Sequence, residues 1–335
     1  MEHLVLNDNS GDGLDDFISG LEAETGFSWH LANWIANQPR TGLMSEVKRY
    51  MRYIFKPFKL VTNSHIESIV AWQQFYGVSY AFWNRLFRSR KKSQLTIMTF
   101  IYKQKQGLAG KLFHFFVNYA ISSPYVDTII CTTSSECEKY RRAFPDAAHK
   151  FVFTPISVVD AAKGRVGSSS PEPNSVIAAG RSNRDYDFLI EELGGTDYKV
   201  EIIDDSFSSR REVPSNIRLI SNLHGEKYLD HLANCWACVI PIDDPTVGSG
   251  QSVLLQAWAL GRPVLCTRCE VLEGDYVHAG VDALVVDKKP GAMRQALDEL
   301  RSDSALWESL SKTGRQQMEA SHSLRALGEF VGGTF

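Results

Sequence analysis

Apolar positions along the chain change period in a regular way. HLVLN (3–7) is a short extended run. In the segment 12–26 after it, Leu14, Phe17, Ile18 and Leu21 fall at i, i+3, i+4 and i+7, the stripe of an amphipathic helix. A second helix is predicted over 45–58, with a serine cap, Val47, Tyr50, Met51 and Ile54 on one face, and Pro57 at its end. Short apolar runs then alternate with helical patterns. Strands are predicted at 68–72, 94–102, 126–133 and 150–157, and helices at 76–87, 110–122 and 134–144. This alternation implies a parallel sheet buried on both faces.

The segment 160–175, DAAKGRVGSSSPEPNS, has no period and is rich in Gly, Ser and Pro, so it reads as a linker. A second strand–helix series follows. Strands are predicted at 175–180, 198–204, 216–221, 236–242, 262–267 and 282–287, and helices at 185–193, 225–235, 252–260, 290–302 and 303–323. The expected fold class is α/β, with two Rossmann-like β/α/β domains facing across a cleft. The domains are 1–159 and 176–320, joined by 160–175, with 321–335 as a tail that could pack back on the first. Open α/β sheets bind ligands at the carboxyl ends of their strands.

The chain has 335 residues, 44% of them apolar and 22% charged, which suits about two soluble domains. Its six cysteines include two pairs at two-residue spacing, Cys235/Cys238 and Cys266/Cys269. Both pairs run into apolar strands, so buried thiols are expected rather than zinc ligands, and no metal site is expected. MEHLVLND reads as a strand and not a leader, and no apolar run is long enough to span a bilayer, so a cytoplasmic location is expected.

Charge changes the picture more. The net charge is −3, yet Thr41 to Asn118 holds thirteen Lys or Arg against two acids, Glu46 and Glu67. The basic residues interleave with aromatics in KRYMRYIFKPFKL and FWNRLFRSRKK, which includes Arg88, Arg90, Lys91 and Lys92. That pattern suits an anionic membrane surface and a peripheral location at the inner face of the plasma membrane. A plain solvated face is the bland reading. Nucleic acid is disfavoured, because no zinc finger, RRM or helix-turn-helix pattern is present.

Two motifs carry candidate chemistry. In AAGRSNRDYDFL a strand ends at Gly180, and Arg181 and Arg184 stand at the mouth of the next helix, where two guanidiniums can clamp a diphosphate. Pairing of Arg184 with Asp185 or Asp187 is the structural alternative. In GSGQSVLLQAWALGRPVLC, Gly248, Ser249 and Gly250 let backbone approach a ligand, and their amides with those of Gln251, Ser252 and Val253 point out of a helix start. Gln256 shares a helix face with Ser252. Upstream, Asp243 and Asp244 close a strand, Asp244 as a turn former before Pro245.

These motifs, in this order and spacing over roughly 175–315, resemble the nucleotide-sugar domain of family 4 glycosyltransferases of GT-B fold. The family's two glutamates, separated by seven intervening residues, would fall on Gly248 and Gln256. The resemblance implies that Gln256 holds ribose hydroxyls, that Gly248 lies near the donor sugar, and that main chain at Ile220 holds the base. It implies an acceptor site in the first half, with Gln73 and Gln74 at one strand end and Tyr102 and Lys103 at the next. The implied activity is transfer of a sugar from a UDP- or GDP-sugar to a lipid-linked or polysaccharide acceptor, as in polysaccharide assembly. Transfer is expected with retention and without metal or other cofactor. The alternatives are a GT-B sugar-nucleotide epimerase and a non-catalytic sugar-nucleotide-binding partner protein.

Overall fold

The computed structural model describes residues 1–8, 13–34, 43–90, 93–103, 106–164 and 171–335, with positions 43 and 44 described in backbone alone. Lys91, Lys92, Lys105 and the middle of the predicted linker, 165–170, lie outside the described residues. The chain divides into two units, Met1–Pro155 with Leu324–Phe335, and Ile156–Ser323.

The first unit holds strands β1 (Glu2–Asn7), β2 (Trp29–Asn33), β3 (Ile66–Ala71), β4 (Gln94–Ile97), β5 (Thr128–Cys131) and β6 (Phe151–Phe153). They form one sheet in the order β2-β1-β3-β4-β5-β6, with every neighbouring pair parallel. Its helices are α1 (Leu14–Thr25), α2 (Leu43–Phe55), α3 (Phe58–Val61), α4 (Gln74–Leu86), α5 (Gly107–Ile121) and α6 (Ser134–Ala143). Successive strand residues point to opposite faces, and each face has its own core. Val5, Val70 and Ile130 pack with Phe17 and Leu21 of α1 and with Leu327 and Val331 of the C-terminal helix Leu324–Gly332. Leu6, Ile69 and Ile129 pack with Tyr76 of α4 and Tyr140 of α6. Glycines let α1 and the C-terminal helix touch backbone to backbone: a Cβ on Gly20 would lie 2.1 Å from the Arg325 carbonyl oxygen.

Two sequence expectations change here. β2 was not expected, because WHLAN is an edge strand that buries Trp29 alone. β4 stops at Ile97, so residues up to Tyr102 form a loop and not a strand end. The face of α2 that carries Val47, Tyr50 and Met51 is exposed, and Tyr53 is the residue that enters the core.

The second unit holds β7 (Ser175–Ala179), β8 (Lys199–Ile203), β9 (Ile217–Ile220), β10 (Ala237–Ile240), β11 (Val264–Thr267) and β12 (Leu284–Val286). The sheet order is β12-β11-β10-β7-β8-β9, again with parallel neighbours. Its helices are α7 (Tyr186–Leu193), α8 (Gly225–Asn234), α9 (Gln251–Ala259), α10 (Glu270–Asp275), α11 (Ala292–Ser302) and α12 (Ser304–Ser321). One face carries Trp258 of α9 with Leu232 of α8, and the other carries Leu189 of α7 with Leu297 of α11. The first residues of the predicted linker belong to this unit. Ala161 is buried, and Arg315 of α12 holds both carboxylate oxygens of Asp160, at 2.6 and 2.7 Å. All six cysteines are buried free thiols.

Candidate functional site

In the second unit the strand order runs outward in both directions from the β10–β7 boundary: β8 and β9 follow β7 on one side, β11 and β12 follow β10 on the other. Such a switch point leaves a crevice at the carboxyl ends of the two central strands. The loops there are Gly180–Asp185 after β7 and Pro241–Gly250 after β10. They are stitched together by backbone: the Asp185 amide donates to Pro241 (2.8 Å), and the Asp243 amide to Asn183 (3.2 Å).

Arg184 sits between these loops. Its guanidinium donates to the carbonyls of Ala179 (3.1 Å) and Ser182 (2.8 Å) and to the Ser249 hydroxyl (3.3 Å). Every one of these acceptors is neutral. Among the described residues no carboxylate pairs with Arg184. Asp185 caps α7 through the Phe188 amide and pairs with Lys288 (2.5 Å), while Asp187 accepts from Ser209. Burial pushes the Arg184 pKa down from its usual value. A guanidinium is charged in proteins as a rule. Gly180 makes this placement possible. Its φ is +111°, and a Cβ there would lie 2.8 Å from the guanidinium. A positive charge without a counter-ion at a switch point is a place for an anion.

The second loop ends at Gly250, the cap of α9, with φ +95° and no side-chain capping bond. A Cβ there would lie 3.0 Å from Ile240, so glycine fits best. The first in-register bond is from the Leu254 amide to the Gly250 carbonyl. The amides of Gln251, Ser252 and Val253 therefore lie ahead of the helix ladder, where an anion is favoured. The helix begins one residue earlier than the sequence pattern placed it.

A pocket of about 240 Å³ opens beside these groups. Gly180 and Arg181 line it from the loop after β7, Asp204 and Asp205 from the loop after β8, His224 and Tyr228 from the start and body of α8, and Val253 and Gln256 from α9. Arg181 is exposed. Asp205 accepts from the Asn222 amide (2.8 Å) and faces His224 at 3.3 Å.

Arg181, Val253 and Gln256 thus share one pocket with the Gly180 turn. Arg184 and Gly250 belong to the two loops and Gln251 and Ser252 open α9, and these four are outside the lining. Ile220 is at the end of β9 with its carbonyl bonded to the Asp204 amide (3.1 Å), and it does not line the pocket. Gly248 is exposed and also outside the lining. A Cβ on it would meet Val271 of α10 at 3.1 Å. Asp244 accepts from the Thr246 amide and hydroxyl, the turn-forming role, and those bonds hold its pKa below the usual carboxylate value. Asp243 pairs with Lys288 (2.9 Å). Asn183, which the sequence did not single out, binds the loops together with the hydroxyl of Ser249, a residue expected to act through its backbone alone. The one available signal was Asn in a Gly-Arg-Ser-Asn turn, a residue type that tolerates left-handed backbone.

In the first unit the switch point lies between β1 and β3. Asp8 follows β1, and its carboxylate accepts from the Tyr53 hydroxyl (2.6 Å) and the Gln73 amide (3.4 Å). Burial first, then the bond to Asp8, pushes the Tyr53 phenol far up. Gln73 also caps α4 by accepting from the Phe75 amide, and Gln74 is bonded in both directions to the backbone of Ile101. Tyr102 is buried with its hydroxyl 2.9 Å from Nδ1 of His114, and Lys103 is exposed in the loop after β4. The acceptor candidates therefore form one loop cluster, with Gln73 and Gln74 already bonded and Lys103 turned to solvent. Asp8 and Tyr53 are the residues that sequence reasoning missed there.

The two parallel six-stranded sheets with alternating helices form the α/β two-domain fold of GT-B glycosyltransferases. No family model matches the chain and no curated protein matches it, but solved structures do. Sucrose-phosphate synthase from Thermosynechococcus elongatus aligns with TM-score 0.62 and 15% identity over 99% of this chain and 98% of that one. HepE of Anabaena in complex with UDP aligns with TM-score 0.60 and 13% identity over 100% and 99%. The lipopolysaccharide outer core galactosyltransferase WaaB, in its apo form, gives 0.59 and 13% over 99% of each chain. At these identities the likeness is one of fold.

Proposed function

We propose that the chain is a glycosyltransferase of the family 4 type that takes a sugar from a UDP- or GDP-sugar. The observation that carries this reading is the uncompensated Arg184 guanidinium between two loops at the switch point, beside a pocket and an uncapped helix start. The HepE structure with UDP supports it, since that neighbour of like fold takes a nucleoside diphosphate.

In this reading the diphosphate lies against Arg181, Arg184 and the amides of Gln251, Ser252 and Val253. Charge that develops on the leaving phosphate is met by those fixed cations and dipoles, with no metal assigned to the site. Gln256 reaches the ribose hydroxyls through its amide, and Ile220 backbone lies towards the base. Gly248 leaves backbone beside the donor sugar where a glutamate stands in the family. We assign transfer with retention, in which the departing phosphate oxygen takes the acceptor proton. The acceptor is a lipid-linked or polysaccharide chain held by the first unit, and the protein works as a peripheral protein at an anionic membrane surface.

The test is a thermal-shift panel of UDP, GDP and their sugars, followed by release of nucleoside diphosphate from whichever sugar nucleotide binds. A ligand of the native state raises its melting temperature by mass action. Arg181→Ala is expected to weaken both binding and release at least tenfold, about the effect of losing one charge-assisted contact. If that variant left both untouched, the assigned site would be wrong.

A further inference from the structure

Among the described residues, nineteen large apolar side chains are exposed, and eleven of them fall between Val47 and Phe115. Scattered exposed apolar residues need no explanation, but a contiguous set does. This set is ordered. On α5, Leu108, Leu112 and Phe115 are 74%, 61% and 64% exposed, and their spacing of i, i+4 and i+7 puts them on one stripe. On α2, Tyr50, Met51 and Phe55 are exposed in the same way. The two helices flank α4 in one layer. Ring contacts from Tyr50 to Phe75 (6.1 Å) and from Phe75 to Phe113 (6.4 Å) link them, and Phe82 packs on Phe116 at 4.9 Å. The layer is thus packed inward by aromatics and still carries an apolar outer surface.

Charge says what covers it. Lys48, Lys59, Arg88 and Lys111 are exposed on the same elements or at their ends, and Lys111 lies within the α5 stripe itself. From Thr41 to Asn118 the chain holds thirteen Lys or Arg and two acids. A protein partner would need an acidic and apolar face to match, whereas an anionic leaflet supplies phosphates around an apolar interior by its nature.

We propose that the outer face of the α2–α5 layer is a membrane-docking surface. On it, Leu108, Leu112 and Phe115 enter the headgroup–acyl boundary of an anionic bilayer, and the surrounding lysines and arginines meet lipid phosphates. This rests on the peripheral-membrane part of the reading above and gives it a defined face. It is independent of the sugar-nucleotide pocket, which lies in the other unit.

The experiment is sedimentation of the full chain with vesicles of phosphatidylcholine alone and of phosphatidylcholine with phosphatidylglycerol, at roughly 2:1. Co-sedimentation is expected with the anionic vesicles only, falling as salt shortens the Debye length. Leu112→Ser with Phe115→Ser is expected to reduce partitioning tenfold or more. Reversing Lys48, Lys59 and Lys111 to Glu is expected to reduce it by about fivefold or more for each charge. All these side chains are exposed, so the melting temperature serves as the fold control, and the charge variant carries the test if the apolar one melts early. Equal binding to neutral vesicles, no binding by the parent chain, or parent-like binding by both variants would overturn the proposal. So would a dimer that the α5 variant splits while vesicle binding is unchanged, since the face would then belong to a second copy. Nucleotide binding without vesicle binding sinks this surface alone, and vesicle binding without nucleotide binding sinks the sugar-transfer reading alone.

Discussion

Asn183 and Ser249 are 66 positions apart, and the side-chain amide of the first lies 3.1 Å from the hydroxyl of the second. The same amide reaches the carbonyls of Asp244 (2.9 Å) and Val247 (3.1 Å), and its oxygen accepts from the Asp244 amide at 2.7 Å. The backbone of Asn183 is left-handed, with φ +56°, so the residue that ties the loops is also one that accepts this conformation. Asn183→Ala loses the bonds and keeps the strain. Apparent stability should fall by about 1–3 kcal/mol. Nucleoside diphosphate affinity, read by calorimetric titration, should fall about tenfold, because the loops then form the site only part of the time. Asn183→Gly relieves the dihedral but not the bonds, and should recover part of the stability and none of the affinity. Unchanged affinity in both would remove Asn183 from the site.

Arg184 separates a structural role from a binding role. Its guanidinium pays a desolvation penalty with no counter-ion, offset by bonds to carbonyls and one hydroxyl. Arg184→Met removes the penalty and the bonds together. Chemical denaturation should show a stability change within about 1 kcal/mol, the remainder of two opposing terms. Nucleoside diphosphate affinity should fall at least tenfold, with partial recovery in Arg184→Lys, which keeps the charge but loses the fork. A stability loss of several kcal/mol with intact affinity would make Arg184 a loop brace only.

Much of this site was legible in the sequence, and the parts that were not share a cause. Arg181, Arg184 and the glycine loop follow strands whose apolar runs are unmistakable, so local pattern places them. Asn183 and Ser249 act only across the β7–β10 boundary, which depends on strand order, and strand order has no local signature. Asp8 and Tyr53 were missed for the same reason, since they meet over 45 positions. The direction of the α2 face was not legible, because a stripe of Val47, Tyr50 and Met51 looks alike whether it meets a core or solvent. β2 was lost because an edge strand buries too little to show a period.

Gly250 and Gly248 make a contrast within one loop. At Gly250 the φ of +95° strains any side chain, and a Cβ would also crowd Ile240 at 3.0 Å, so Gly250→Ala should cost about 1–3 kcal/mol in strain and weaken nucleotide binding by displacing the start of α9. At Gly248 the φ is not positive, and a Cβ meets the Val271 side chain, its two methyls at 3.1 and 3.2 Å and its Cβ at 3.4 Å. Gly248→Ala should therefore cost less than Gly250→Ala, because it crowds Val271 without adding dihedral strain. Thermal melts with and without nucleoside diphosphate check both. Equal melting of the two variants would mean that the helix start is not constrained as described.

His322 sets a pH dependence in the second unit. It is 3% exposed, stacked on Tyr276 at 5.5 Å, with Nδ1 3.3 Å from the Ile156 carbonyl. Burial lowers its pKa below the ordinary 6.5, outweighing the Ile156 carbonyl and Asp282, which both favour the charged ring. The unfolded chain therefore takes up the proton first. The contribution to stability is whole above pH 6.5 and is lost as pH falls through 6.5 towards the folded value, with a slope of at most about 1.4 kcal/mol per pH unit. His3 in the first unit is also lowered by burial and acts with the same sign, so the parent chain should lose stability in both units between neutral and mildly acid pH. His322→Phe keeps the stacking and removes the titration. Its melting temperature should fall less steeply over that range, with the difference confined to the transition of the second unit. A parallel pH profile in the variant would show that His322 is not the titrating group.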